Sequence, residues 1–106
     1  MVGRQVTMKL KPDAATELIR IFNSEVISIL RSQKGFRDET TFIATERAEA
    51  VANSLWDTQE DAEAYSRSAY PQVLTALAPV IEGTPTVKTF DLAKATFLGS
   101  VAGKLS

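Results

Sequence analysis

RAEAVANSLWDTQEDAEAY, residues 47–65, changes its periodicity halfway, and that change decides the fold. Up to Trp56 the chain alternates. Ala48, Ala50, Ala52, Ser54 and Trp56 share one face of a strand, and Arg47, Glu49, Val51, Asn53 and Leu55 share the other. From Asp57 the alternation stops. Asp57 or Thr58 can cap a helix, with Glu60 or Asp61 three residues on in the manner of a capping box, and QEDAEAYSRS continues that helix. A strand therefore runs straight into a helix at the only tryptophan of the chain.

Upstream, FRDETTFIATE is rich in Phe, Thr and Ile and reads as a strand. It pairs antiparallel with the quoted strand through a turn near Arg47, although no Asn-Gly or Asp-Gly specifies that turn. Before it, AATELIRIFNSEVISILRSQKG carries Ile19, Phe22, Val26, Ile29 and Leu30 at helical spacing. The pattern predicts one long helix from about Pro12 to about Gln33, with Asp13 at its N-terminus and Gly35 just past its end. The first strand again alternates. Val2, Arg4, Val6, Met8 and Leu10 share a parity.

Downstream, Tyr70-Pro71 interrupts the second helix, and PQVLTALAPVI resumes it with Val73, Leu74, Leu77 and Ile81 inward. Pro79 and Gly83 mark its end, and PTVKTFDLA is the closing strand. The order β-α-β-β-α-β is that of a single α+β, ferredoxin-like domain. Such a sheet has a second face to cover, and Thr41, Ile43, Val51, Leu55 and Phe90 are expected to bury it against a twin sheet. Residues 93–106 exceed what the fold needs. Phe97, Leu98, Val101 and Leu105 point to docking on a sheet edge or a second subunit rather than to a solvated tail.

Composition removes much chemistry. Among 106 residues there is no cysteine and no histidine. Disulfides, thiolate nucleophiles, Ser-His-Asp hydrolysis and most transition-metal sites are excluded with them. The net charge of −1, without a basic stripe, argues against nucleic acid and anionic membrane. No segment is apolar enough for a membrane span, and the N-terminus does not read as a signal peptide, so a cytoplasmic protein is expected.

KGFRDETTFIA, SLWDTQEDAEAY and SRSAYPQVLTALAPVIEGTPTVKTFDL together resemble the antibiotic biosynthesis monooxygenase domain over nearly the whole chain, from about Val6 to Leu92. The resemblance implies a dimeric α+β barrel in which two ferredoxin-like sheets pack face to face, with a pocket between each sheet and its helices. It also implies oxygenation of a small aromatic or enolisable compound without metal, flavin or other cofactor. The haem-degrading branch of the superfamily needs a histidine on the later helix, and YPQVLTALAP supplies none. Trp56 matches the strand-terminal Trp that lines the pocket in active members.

The residues themselves allow two readings of Trp56: a ring bordering a cavity floored by Ala52 and Ser54, or a wedge filling the gap between strand and helix. Packing comes first. Tyr65 and Tyr70 are candidate phenol donors at the pocket. Asn53 is the family-like amide partner of Trp56, but a separation of three puts the two on opposite faces of a regular strand. Arg4 and Arg67 read as surface arginines able to hold an anion. Glu39 and Glu49 read as exposed or barrel-lining carboxylates, and no general base is identifiable. A non-catalytic small-molecule-binding or structural homodimer is therefore the alternative to an enzyme.

Overall fold

The computed structural model describes residues 1–93, so the expected docking of the C-terminal tail lies outside the described residues. β1 (Val2–Leu10) buries every second residue, from Val2 to Leu10. It lies between β3 (Glu49–Trp56) and β4 (Ile81–Asp91), antiparallel to both. β2 (Phe36–Ala44) pairs with the far side of β3, giving the sheet order β2-β3-β1-β4. Helices cover one face, and the arrangement is the ferredoxin-like α+β fold expected.

The first helical segment departs from a simple helix. Asp13 takes a left-handed conformation (φ 58°), so it ends the turn after β1 instead of capping a helix. α1 (Ala15–Ile21) then passes through a π-helical turn (Phe22–Val26) into α2 (Ile27–Arg31). The cause is visible in the buried stripe Leu18, Phe22, Val26 and Leu30, each four residues after the last. In a uniform α-helix each step of four drifts by about 40° around the axis. The wider π turn absorbs that drift and keeps the stripe on the sheet. Ile19, expected inside, is left 50% exposed.

Two bulges set which side chains reach the helices. In β2, Phe36 pairs with Trp56 and Asp38 with Leu55, so Arg37 is the extra residue. Beyond it Glu39, Thr41 and Ile43 pair with Ser54, Ala52 and Ala50 on the helix-facing side. Thr41 and Ile43 are thus not on the open face, and Phe42, opposite Val51, takes that place. In β4, Glu82 pairs with Lys9 and Thr86 with Thr7, and Gly83 (φ 70°) sits in the intervening bulge. Gly83 therefore lies within β4, which begins at Ile81, four residues earlier than the sequence suggested.

Gly35 fixes the corner where the site is built. Its φ is 80°, and a Cβ there would stand 2.1 Å from the Asp61 carboxylate. Its carbonyl accepts a hydrogen bond from the Asp57 N–H at 2.8 Å. Only glycine tolerates both the conformation and the approach. α3 (Gln59–Ser68) then starts at Thr58, whose hydroxyl accepts the Asp61 N–H at 3.1 Å. α4 (Tyr70–Leu77) follows after a break at Ala69, one residue before the expected Tyr70-Pro71, and Pro71 sits in its first turn, as expected.

Candidate functional site

Trp56 closes β3 on the helix-facing side and is 0% exposed. Phe36 meets it edge-on at 5.5 Å between ring centroids, and Tyr65 of α3 stacks on it at 4.9 Å. Its indole Nε1 donates to Ser54 Oγ at 2.9 Å. The ring does not line the space between sheet and helices. Tyr65 stands between it and that space, so Trp56 acts as the backing of the site.

The space itself is a cavity of about 30 Å³. Its sheet wall is Arg4, Val6, Met8, Ala52, Ser54 and Glu39. Its helix wall is Phe22, Val26 and Leu30, then Tyr65, Tyr70, Val73 and Leu77. An apolar box thus receives five polar side chains. A volume of this size admits about two waters.

Arg4 is the unusual member. It lies on the buried parity of β1, beside Ser54 and Thr89 of the flanking strands, and is 4% exposed. Its Nε donates to Ser66 Oγ at 3.0 Å. Its guanidinium carbon lies 4.1 Å from the Tyr70 ring centroid and 5.2 Å from that of Tyr65, a cation–π arrangement. The ion pairs among the described residues are Glu17–Arg20, Arg37–Asp57 and Arg47–Glu49, so Arg4 has no carboxylate within 4.0 Å. The expectation of a surface arginine is corrected: apolar neighbours of the same parity take the side chain inward.

Glu39 is likewise not a surface or barrel carboxylate. The bulge at Arg37 turns it toward the helices, where it is half-buried and accepts the Thr41 hydroxyl. Burial raises its pKa, with the Thr41 hydrogen bond opposing and Asp38 adding to the rise. Tyr65 is pushed up to about 12, chiefly by burial, with the Arg4 charge opposing. Tyr70 is raised for the same first cause, against the same opposing charge. Both phenols are neutral donors at ordinary pH.

Beside the cavity, between the first helical segment and the β2 edge, runs a groove of about 360 Å³. Leu18, Ile19, Phe22, Asn23 and Ile27 form one side, and Glu39, Thr41 and Ile43 the other. Phe22 and Glu39 line both spaces and form the partition between them.

Asn53 does not belong to this site. It stands on the open face, where its Oδ1 accepts from Gln5 Nε2 at 3.2 Å. β3 is regular through this stretch against β1, so the odd separation from Trp56 keeps the two apart. The residues that do share the face of Trp56 along β3 are Ser54, Ala52 and Ala50, and none carries an amide.

A ferredoxin-like sheet with a helix-covered cavity behind a strand-terminal Trp defines a class of small α+β proteins. The chain belongs to the antibiotic biosynthesis monooxygenase family, whose model matches residues 1–85. Solved structures share the fold. A monooxygenase of Streptomyces coelicolor in complex with nanaomycin D superposes with a TM-score of 0.74 at 18% identity, over 90% of this chain and 89% of the other. SnoaB, a cofactor-independent oxygenase from Streptomyces nogalater, gives 0.69 at 18% identity over 90% and 94%. A protein of unknown function from Nitrosomonas europaea gives 0.73 at 14% identity over 90% and 91%. No curated protein matches the sequence.

Proposed function

We propose that the protein binds a small aromatic or enolisable compound between sheet and helices and oxygenates it without a cofactor. The observation that carries this reading is the convergence of Arg4, Glu39, Ser54, Tyr65 and Tyr70 on an otherwise apolar cavity. A compound with an acidic C–H loses its proton to Glu39, whose burial makes it a better base than an exposed carboxylate. The resulting enolate is stabilised by the cation of Arg4 and the phenol donors. It then reacts with molecular oxygen. For an anthrone-type methylene, the carbon is oxidised to a carbonyl, one oxygen atom is retained and the other leaves as water.

Size constrains how this works. A cavity of about 30 Å³ takes only the reacting edge of such a molecule. The body must lie in the adjoining groove, of about 360 Å³, with Phe22 displaced from the partition. The same small volume supports a second reading, in which the space stays closed and the chain serves as a binding or structural homodimer. Under either reading two copies pair through their open sheet faces.

Oxygen uptake with a panel of anthrones and quinols decides between the two. The oxygenase reading expects turnover that falls at least about tenfold in Glu39→Gln, with a smaller change in Trp56→Phe. Absence of uptake across the panel leaves the binding or structural reading.

A further inference from the structure

We infer that the inner cavity selects ligands carrying a single anionic oxygen group (carboxylate, enolate or phenolate) and that Arg4 is the residue that binds it. The inference rests on the helix–sheet cavity being the ligand site, as proposed above, and adds a charge requirement to it.

A guanidinium is costly to remove from water unless its charge is balanced. Arg4 is buried, yet among the described residues its partners are the Ser66 hydroxyl, the Tyr70 hydroxyl, whose ionisation it favours through a hydrogen bond, and two aromatic faces, none of them charged. A guanidinium has five N–H donors, and Ser66, on Nε, and Tyr70 leave most of them without an acceptor. The carboxyls of the neighbourhood are otherwise engaged. Glu39, two strands away on the same sheet wall, accepts from Thr41. Glu63 lies on the Ser66 side, where it and Arg4 both line a second cavity of about 40 Å³, and accepts from Gln59. Neither comes within ion-pair distance of Arg4.

The site is therefore short of one negative charge beside a planar fork of donors, which a planar carboxylate matches best. Two features limit that partner to a monoanion. Arg4 is the one cation of the lining, and Glu39, on the same sheet wall with Ser54 between them, repels a second negative charge. The volume fits a carboxylate or an enolate edge and leaves no room for a phosphate dianion with its hydration. Tyr70, whose ring centroid lies 4.1 Å from the guanidinium carbon, packs against it and is a positioning residue.

The test uses the full chain and matched pairs of probes, acetate with acetamide and benzoate with benzamide, at constant ionic strength. Binding is read by Tm and by the fluorescence of Trp56, which stacks on the cavity-lining Tyr65. The carboxylates are expected to raise Tm in a concentration-dependent way and the amides to leave it unchanged. Arg4→Met is expected to weaken carboxylate binding at least about tenfold, and Arg4→Lys to restore part of it. Should Arg4→Met fail to fold, the preference of the wild-type chain for acid over amide and its reduction in Tyr70→Leu carry the test. Equal response to acid and amide, response to neither, or carboxylate binding unchanged in Arg4→Met overturns the inference. Carboxylate binding without any oxygen uptake upholds it and counts against the oxygenase reading. Oxygen uptake indifferent to ligand charge and to Arg4 does the reverse.

Discussion

At Trp56 one side chain joins three elements: it ends β3, meets Phe36 of β2 edge-on and stacks under Tyr65 of α3. Its removal should be a stability event before it is a functional one. Trp56→Ala opens a void in a fully buried position and should cost about 3–5 kcal/mol. Trp56→Phe keeps an aromatic ring but withdraws the donor from Ser54, and should cost about 1–3 kcal/mol. Urea denaturation measures both. A loss below about 0.5 kcal/mol for the alanine variant would contradict the packing role. Tyr65 gives a second prediction, with its sign fixed by linkage. Burial raises the folded-state pKa to about 12, above the ordinary 10.0. The contribution of the neutral phenol is therefore fully present below pH about 10 and is lost as pH rises through about 12. Absorbance titration of the phenolates should find both tyrosines late, Tyr65 near 12, with stability falling through that window. Joint ionisation at the ordinary value would refute it. These two residues were legible because parity and helix spacing address burial directly. Arg4 was misread as a surface arginine although it shares a parity with Val2, Val6 and Met8, because a charge ordinarily stays in water, and its isolation from carboxylates depends on contacts distant in sequence. Glu39 was hidden, since the bulge at Arg37 reverses the parity of everything after it and leaves no mark in composition.

Among the elements, the order and type of strands and helices follow from periodicity alone, and the departures occur where backbone geometry leaves the regular forms. The π turn is an instance. A run of apolar residues four apart fits either a slowly winding stripe or a straight one with a wide turn, and only the sheet beneath selects the second. The β2–β3 connection is another. Lacking Asn-Gly, it closes through a 3₁₀ turn (Thr45–Arg47) and places Ala48 in the left-handed region at φ 49°. The carbonyl of Ala48 accepts the Leu10 N–H at 2.7 Å, and its own N–H reaches the Thr45 carbonyl at 3.1 Å, so the conformation is held from both sides. An L-residue there costs about 1–2 kcal/mol, against which glycine adds back some unfolded-state entropy. Ala48→Gly should therefore stabilise the domain by about 0.5–1 kcal/mol, visible as a Tm rise of a few degrees. A lower Tm would show that the Ala48 methyl, packed against the core, outweighs the strain.

For the whole molecule the decisive surface is the face of the sheet that carries no helix. Its cross-strand rows read Phe42, Val51, Thr7, Thr86, then Thr40, Asn53, Gln5, Lys88, then Asp38, Leu55, Gly3, Phe90. Phe42 is 62% exposed and Phe90 52%. Apolar side chains in the outer rows flank a polar centre bridged by the Gln5–Asn53 hydrogen bond. A monomer gains nothing by presenting two phenylalanines to water on one face, whereas in the homodimer proposed above a second copy would cover them. Members of the family are commonly dimers, in keeping with this pairing. In the proposed symmetric pair every substitution would count twice, so Phe42→Asp would place two carboxylates in one interface. Light scattering should give the wild-type chain twice its 11.6 kDa at micromolar concentration and the Phe42→Asp chain the monomer mass. The Tm of the variant should lose its dependence on protein concentration. Wild-type protein that stays monomeric, or a variant that stays dimeric, would defeat the pairing. Arg4, Glu39 and the two tyrosines all lie on the other side of the sheet, and one copy of the chain supplies the lining of their cavity. A folded Phe42→Asp monomer should therefore keep its preference for carboxylate over carboxamide, and loss of that preference with the dimer would mean that the open face supports the cavity from behind.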